Sequence, residues 1–199
     1  LDFNPSSQHF EASFAYYLNA CARMGFDHGT INICGFGGFP AKSHGVPGTV
    51  RNFVTCEDAS IRDEADFDSY PWPSANTINT DAMERTARLA PEGMGVLTGG
   101  PAVFQTACAL LGYNGIAMML YENPELVRRV VDRIGETMAE VFDLVASMPF
   151  IQGVLITGDM GFKTGTFISP EDLRRLFFPW HRKFNEAVHR HGKCTILHS

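Results

Sequence analysis

The strongest constraint on this chain is an alternation. Short apolar, partly β-branched runs near residues 30, 94, 152 and 193 are separated by segments with helical periodicity. That is the pattern of repeated βα units around a parallel sheet. The first helix is expected over 10–24, where Phe14, Tyr17, Leu18, Cys21 and Ala22 recur at helical spacing and Gly25 stops the run. A strand, Thr30–Cys34, follows, then a Gly- and Pro-rich stretch over 35–48 and a second extended run, Val50–Cys56. An acidic, loop-like region leads to Tyr70-Pro71-Trp72-Pro73. Thr80 is placed to cap a helix reaching Ala90, and Met94–Thr98 reads as a strand ending at Gly99-Gly100-Pro101, where another helix can begin.

The second half carries stronger signals. Asn123-Pro124-Glu125 supplies a capping side chain, a proline at the first helical position and an acid near the positive end of the helix dipole. Leu126, Val130, Val131, Ile134, Met138, Val141, Phe142 and Val145 then form one apolar stripe. Gln152–Thr157 is a compact strand. Ser169-Pro170-Glu171-Asp172 opens a further helix that points Leu173, Leu176, Phe177, Trp180, Phe184 and Val188 inward, with Pro179 expected to kink or split it. Gly192 ends that helix before the last strand, Lys193–Leu197.

Both a (β/α)8 barrel and a doubly wound sheet fit this order. A complete barrel typically needs about 250 residues, and the chain has 199. It opens at Leu1 and stops at Ser199 directly after the strand-like Thr195-Ile196-Leu197, so residues 1–199 are expected to form one partial barrel domain, cut at both ends. Composition narrows the function classes. A net charge of −6 argues against tracking a phosphate backbone, which leaves small molecules as the expected partners rather than nucleic acid. No apolar run approaches the roughly 20 residues of a membrane span, and no signal segment is evident. Cys21, Cys34, Cys56, Cys108 and Cys194 have no short repeated spacing, so reduced thiols in a cytoplasmic protein are expected.

In a parallel barrel the chemistry sits at the carboxyl ends of strands. Here these are 34–39, 98–100 with Gly99 at the centre, 157–160, and His198. Asp159 follows its strand within two residues, an address for a substrate-binding acid or a general acid/base; a loop aspartate capping nearby amides is the competing reading. His198 can bind a metal, move a proton or bond a substrate carboxylate, or serve structure alone. Cys194 lies four residues before it on the strand, roughly 13 Å away at about 3.3 Å per residue, too far to share one ion. His181, His189 and His191 read as surface or helix-end histidines. Met160 adjoins Asp159, and Lys163, within Gly161-Phe162-Lys163-Thr164-Gly165, is placed either to reach an anionic substrate or simply to be solvated. Gly35-Phe36-Gly37-Gly38-Phe39 follows a strand but opens no helix, so it reads as a mouth loop rather than a dinucleotide motif. Neither Gly-x-Ser-x-Gly nor His-Glu-x-x-His occurs.

Five segments together carry a resemblance: Tyr70-Pro71-Trp72-Pro73, Gly158-Asp159-Met160-Gly161, Ile168-Ser169-Pro170-Glu171, Phe178-Pro179-Trp180-His181, and His191-Gly192-Lys193 leading to Leu197-His198-Ser199. From about residue 50 onward the chain resembles the uroporphyrinogen decarboxylase superfamily, which also holds the methylcobalamin:thiol (coenzyme M) methyltransferase-like branch. The resemblance implies a TIM barrel with its site at the carboxyl mouth. In the methyltransferase-like branch it further implies a zinc ion held by a His-x-Cys pair and a later cysteine, activating a thiol that accepts a methyl group from a corrinoid. His198-Ser199 matches the first two positions, with the other ligands expected beyond Ser199. In the decarboxylase branch it implies a metal-free pocket in which Asp159 and His198 line a bound tetrapyrrole. The features lean slightly to methyl transfer from a corrinoid-protein partner. A non-catalytic barrel fragment or binding subunit is the third alternative.

Overall fold

The computed structural model describes residues 8–42, 44–45, 52–53 and 59–199, with side chains over 11–42 and 59–199. In chain order the elements are α1 (Gln8–Arg23), β1 (His28–Ile31), β2 (His44–Gly45), β3 (Asn52–Phe53), α2 (Glu64–Ser69), a 3-10 turn (Ala75–Thr77), α3 (Thr80–Ala87) and β4 (Gly95–Pro101). Then come α4 (Val103–Leu111), α5 (Tyr113–Glu122), α6 (Pro124–Ser147), β5 (Gly153–Thr157), β6 (Gly161–Phe162), β7 (Gly165–Thr166), α7 (Pro170–Asp172), a π turn (Leu173–Phe177), α8 (Phe178–His189) and β8 (Cys194–His198).

β1, β4, β5 and β8 form one parallel sheet in that order. Each strand returns to the sheet through helices, as parallel pairing requires. Alternation along the strands gives the sheet two different faces. Ile31, Val96, Thr98, Val154 and Ile156 are buried on one face, against the helices. A side chain at Gly100, on the same face, would reach Met138 and Phe142 of α6. Thr195, in register with Val154, donates its hydroxyl to Asn185 of α8 at 2.8 Å. The other face presents Leu97, Leu155 and Ile196, which are only partly covered. A four-stranded parallel sheet with helices on one face and a half-open inner face is part of a TIM barrel.

The elements form where local chemistry directs them. Asn123 caps α6 by accepting the Leu126 N–H at 3.2 Å, and the expected apolar stripe is fully buried. Ser169 caps the next helical stretch by accepting the Asp172 N–H at 3.0 Å. The six residues expected to face inward there, Leu173 to Val188, are all buried. Pro179 is accommodated without a break. The π turn ahead of it carries the Phe178 N–H to the Leu173 carbonyl, and the proline falls in the first turn of α8, where an absent N–H costs nothing.

Several boundaries depart from the sequence reading. β1 begins and ends earlier than expected, so Cys34 lies in the loop beyond the strand. The region before Tyr70 contains α2, capped by the Asp63 carboxylate on the Asp66 N–H. Asn79, not Thr80, caps α3, because the Asn79 side chain accepts the Ala82 N–H while Thr80 is already helical. Gly99, Gly100 and Pro101 belong to β4 rather than ending it. Of the run Val50–Cys56, Asn52–Phe53 pairs antiparallel with His44–Gly45; the rest lies outside the described residues, as does Cys56. Cys21, Cys34, Cys108 and Cys194 are free thiols. Among the described residues no single helix is long and apolar enough to cross a membrane; α4 and α5 meet that test only as a pair bent by 87°.

Candidate active site at the carboxyl edge of the sheet

Three strands end level. Pro101 pairs with Thr157, and Thr157 with His198, so these residues form one row across the carboxyl edge on the half-open face. The chain leaving β5 is tied into that row: the Gly158 N–H donates to the His198 carbonyl at 3.1 Å, and the Ala102 N–H donates to the Thr157 carbonyl at 2.7 Å. Asp159 is the next residue, and its Oδ1 lies 3.9 Å from Nδ1 of His198. Both side chains are largely exposed. That separation is longer than a hydrogen bond, so the two groups face one shared space at the edge rather than bonding each other directly. The pair expected from strand-end positions is thus brought together.

Two further groups reach this place from helix starts. Gly158 packs against the first turn of α4: a side chain there would meet Ala102 Cβ at 2.8 Å and Gln105 Cβ at 3.3 Å. The Gln105 side chain acts on the phenol of Tyr113, the first residue of α5. Burial pushes the Tyr113 phenol above its ordinary range, the Cys108 thiol and the Asp159 carboxylate add to the shift, and Gln105 partly opposes it. Tyr113 therefore stays a neutral hydrogen-bond donor beside Asp159. Its ring lies 5.7 Å from Phe167, which follows the β6–β7 hairpin and lies 3.9 Å from the exposed Phe162 ring. Neither Gln105 nor Tyr113 carries a sequence signal for this role, since neither follows a strand directly.

The other expected site residues are distributed around the same edge. Gly99 sits on the half-open face of β4 and borders a cleft of about 450 Å³ between the β1 loop, Asn32 to Gly38, and the end of β4. Met160 follows Asp159, packs partly buried against the core, and accepts the Phe167 N–H at 3.1 Å through its carbonyl. Lys163 is exposed on the turn between β6 and β7.

The remaining histidines are more varied than expected. His191 contacts Asp143 through Nε2 at 2.8 Å, and His189 lies 3.5 Å from the Thr195 hydroxyl. His181 is not a surface histidine. Its Nε2 is buried with no partner among the described residues, and burial lowers its pKa. Packing of α8 beside Phe178 and Phe184 decided this, and periodicity alone did not show it.

Among the described residues no three His, Cys, Asp or Glu side chains converge on a point. An ion at His198 would find one imidazole and one carboxylate, fewer than the three or four protein ligands of a zinc site. The described residues do not fit a zinc centre, and Cys194, at the far end of β8, does not supply the missing ligand.

The methyltransferase from Methanosarcina mazei superposes with a TM-score of 0.68 at 12% sequence identity, over 94% of this chain and 56% of that protein. The chain thus spans little more than half of that methyltransferase's length, and the likeness is one of fold. No curated protein matches the chain by sequence. Residues 48–199, well over half of the chain, match the family Uroporphyrinogen decarboxylase (URO-D), and the chain belongs to that family.

Proposed function

We propose that the protein is a methyltransferase-like member of the uroporphyrinogen decarboxylase family, passing a methyl group from a corrinoid donor to a thiol. The observation that carries this reading is the His198–Asp159 pair at the carboxyl edge, 3.9 Å apart and exposed toward the mouth. The shared fold with a methyltransferase supports the same branch.

In this reading Asp159, Met160, Gly99 and Lys163 line the substrate mouth, and Gln105 and Tyr113 extend it. His198 takes the thiol proton, Asp159 stabilises the resulting imidazolium, and the thiolate sulfur attacks the methyl carbon, so that the S–C bond forms as the cobalt–carbon bond of the donor breaks and its electron pair leaves with the corrinoid as Co(I). Tyr113, kept neutral, donates a hydrogen bond to a substrate oxygen. The zinc assistance implied by the family resemblance would use His198 as one ligand. The described residues do not complete that site, and no step above depends on it.

The test is demethylation of methylcobalamin by the purified protein in the presence of a small thiol, followed by the visible spectrum of the corrinoid, with zinc measured by elemental analysis. General acid–base groups typically contribute about 10²–10⁴-fold. His198→Ala is expected to lower the rate by about that factor and Asp159→Asn by a smaller one. No demethylation, together with metal-independent binding of a tetrapyrrole, would move the reading to the decarboxylase branch.

A further inference from the structure

The cleft between the β1 loop and the end of β4 differs in character from the reacting pair. Its volume of about 450 Å³ falls within the range of small-molecule sites. The Asn79 N–H, donating to the Cys34 carbonyl at 2.8 Å, holds the loop against the start of α3. The walls are mostly main chain, supplied by Gly35, Gly37 and Gly38 on one side and Gly99 and Gly100 on the other, with the Phe36 ring at the loop. Glycine faces beside an aromatic ring offer flat surfaces.

Among the described residues the lining carries no Lys, Arg, His, Asp or Glu side chain. Asn32 supplies the uncharged polar group. Cys34 is buried and its thiol is pushed up by that burial, so it stays protonated. The cation whose field reaches it, Arg85, is already paired with Glu11 at 3.2 Å. A carboxylate entering this cleft would lose hydration without gaining a counter-charge.

We propose that this cleft is a substrate subsite for a planar, uncharged moiety bearing an amide or hydroxyl group, and that it rejects a carboxylate in the same position. The proposal rests on the reading that the carboxyl edge binds a small-molecule substrate, and it adds the chemical class of the non-reacting end. Asn32 meets the polar substituent, and the glycine faces and Phe36 enclose the ring.

The test is binding of benzamide and of benzoate, two isosteric probes, to the full chain by saturation-transfer NMR and titration. Benzamide is expected to bind at least about tenfold more tightly than benzoate. A side chain at Gly37 meets no atom within 4 Å, so Gly37→Phe is expected to fold normally, fill the cleft and weaken benzamide at least about tenfold. Asn32→Leu, at an exposed position, is expected to weaken it as well. His198→Ala is expected to lose methyl transfer and leave benzamide binding intact, whereas an unsubstituted protein that binds benzamide but transfers no methyl group overturns the proposed reaction and not the subsite. Equal or tighter binding of benzoate, no benzamide binding at millimolar concentration, or unchanged binding in a normally folded Gly37→Phe protein would overturn the subsite.

Discussion

Single positions in this chain are constrained by what lies within a few ångströms. At Gly99 an added methyl group would collide with the Leu155 carbonyl oxygen of the adjacent strand, a main-chain atom that cannot rotate away. Gly99→Ala is therefore expected to cost about 1–3 kcal/mol, read as a lower denaturation midpoint with unchanged far-UV CD. Cys108 shows burial acting through titration. Its thiol is fully buried and pushed up to about 12 by desolvation, and Cys34 and Tyr70 shift in the same direction. A thiol whose folded value lies above its unfolded one favours the native state fully below the unfolded value, and that contribution is lost as pH rises through the interval to the folded value. Stability is expected to fall between about pH 9 and about pH 12. Urea titrations at increasing pH would show it, with a shallower decline in Cys108→Ala. At the candidate site, Asp159 and His198 were legible from the sequence because each sits at a strand's carboxyl end. Gln105 and Tyr113 were not, because the bend between α4 and α5 and the packing of Gly158 bring them there.

Among the elements, α6 and α8 show how helix packing uses a small residue. Gly135, in the middle of α6, lies directly beneath the Trp180 ring, where a methyl group would overlap the indole. That ring is held in place by its Nε1–H donating to Asp132 at 3.3 Å and by Lys183 lying 3.8 Å from the ring centroid. Gly135→Ala gains about 1 kcal/mol of helix propensity, but overpacking typically costs about 1–3 kcal/mol. A net loss of about 1 kcal/mol is expected, lowering the Tm by about 2–4 °C; a rise in Tm would show that the two helices separate freely. Caps set by consecutive residues, Asn123-Pro124 and Ser169-Pro170, were legible in the sequence because side chain and target amide lie within one turn. The cap of α3 falls at Asn79, one residue before the Thr80 expected from the sequence, since both residue types can cap and the Cys34 carbonyl, which binds the Asn79 N–H, is distant in sequence.

For the whole molecule, stability comes from the helix-covered face of the sheet. Phe104, Phe142, Phe177 and Phe184 are fully buried there, with contacts such as Phe142–Phe184 at 5.1 Å. Among the described residues ion pairs such as Arg88–Glu84 and Arg175–Asp172 lie at the surface, where solvent and salt screen them and they add little to stability. The chain is therefore expected to melt cooperatively, with a near-UV CD signal from the fixed Trp180 ring; helical far-UV CD without that signal would support the non-catalytic fragment reading instead. The sequence by itself determined the βα alternation, the apolar stripes of α6 and α8, and the placement of Asp159 and His198 at strand ends. These depend on spacing along a few turns or a single strand. Only the tertiary structure decided that β1, β4, β5 and β8 lie in that order, that Pro101, Thr157 and His198 end in one row, and that a cleft lined, among the described residues, without charged side chains opens beside them. Those features arise from register and packing between segments far apart in the chain, and no local pattern of residues encodes them.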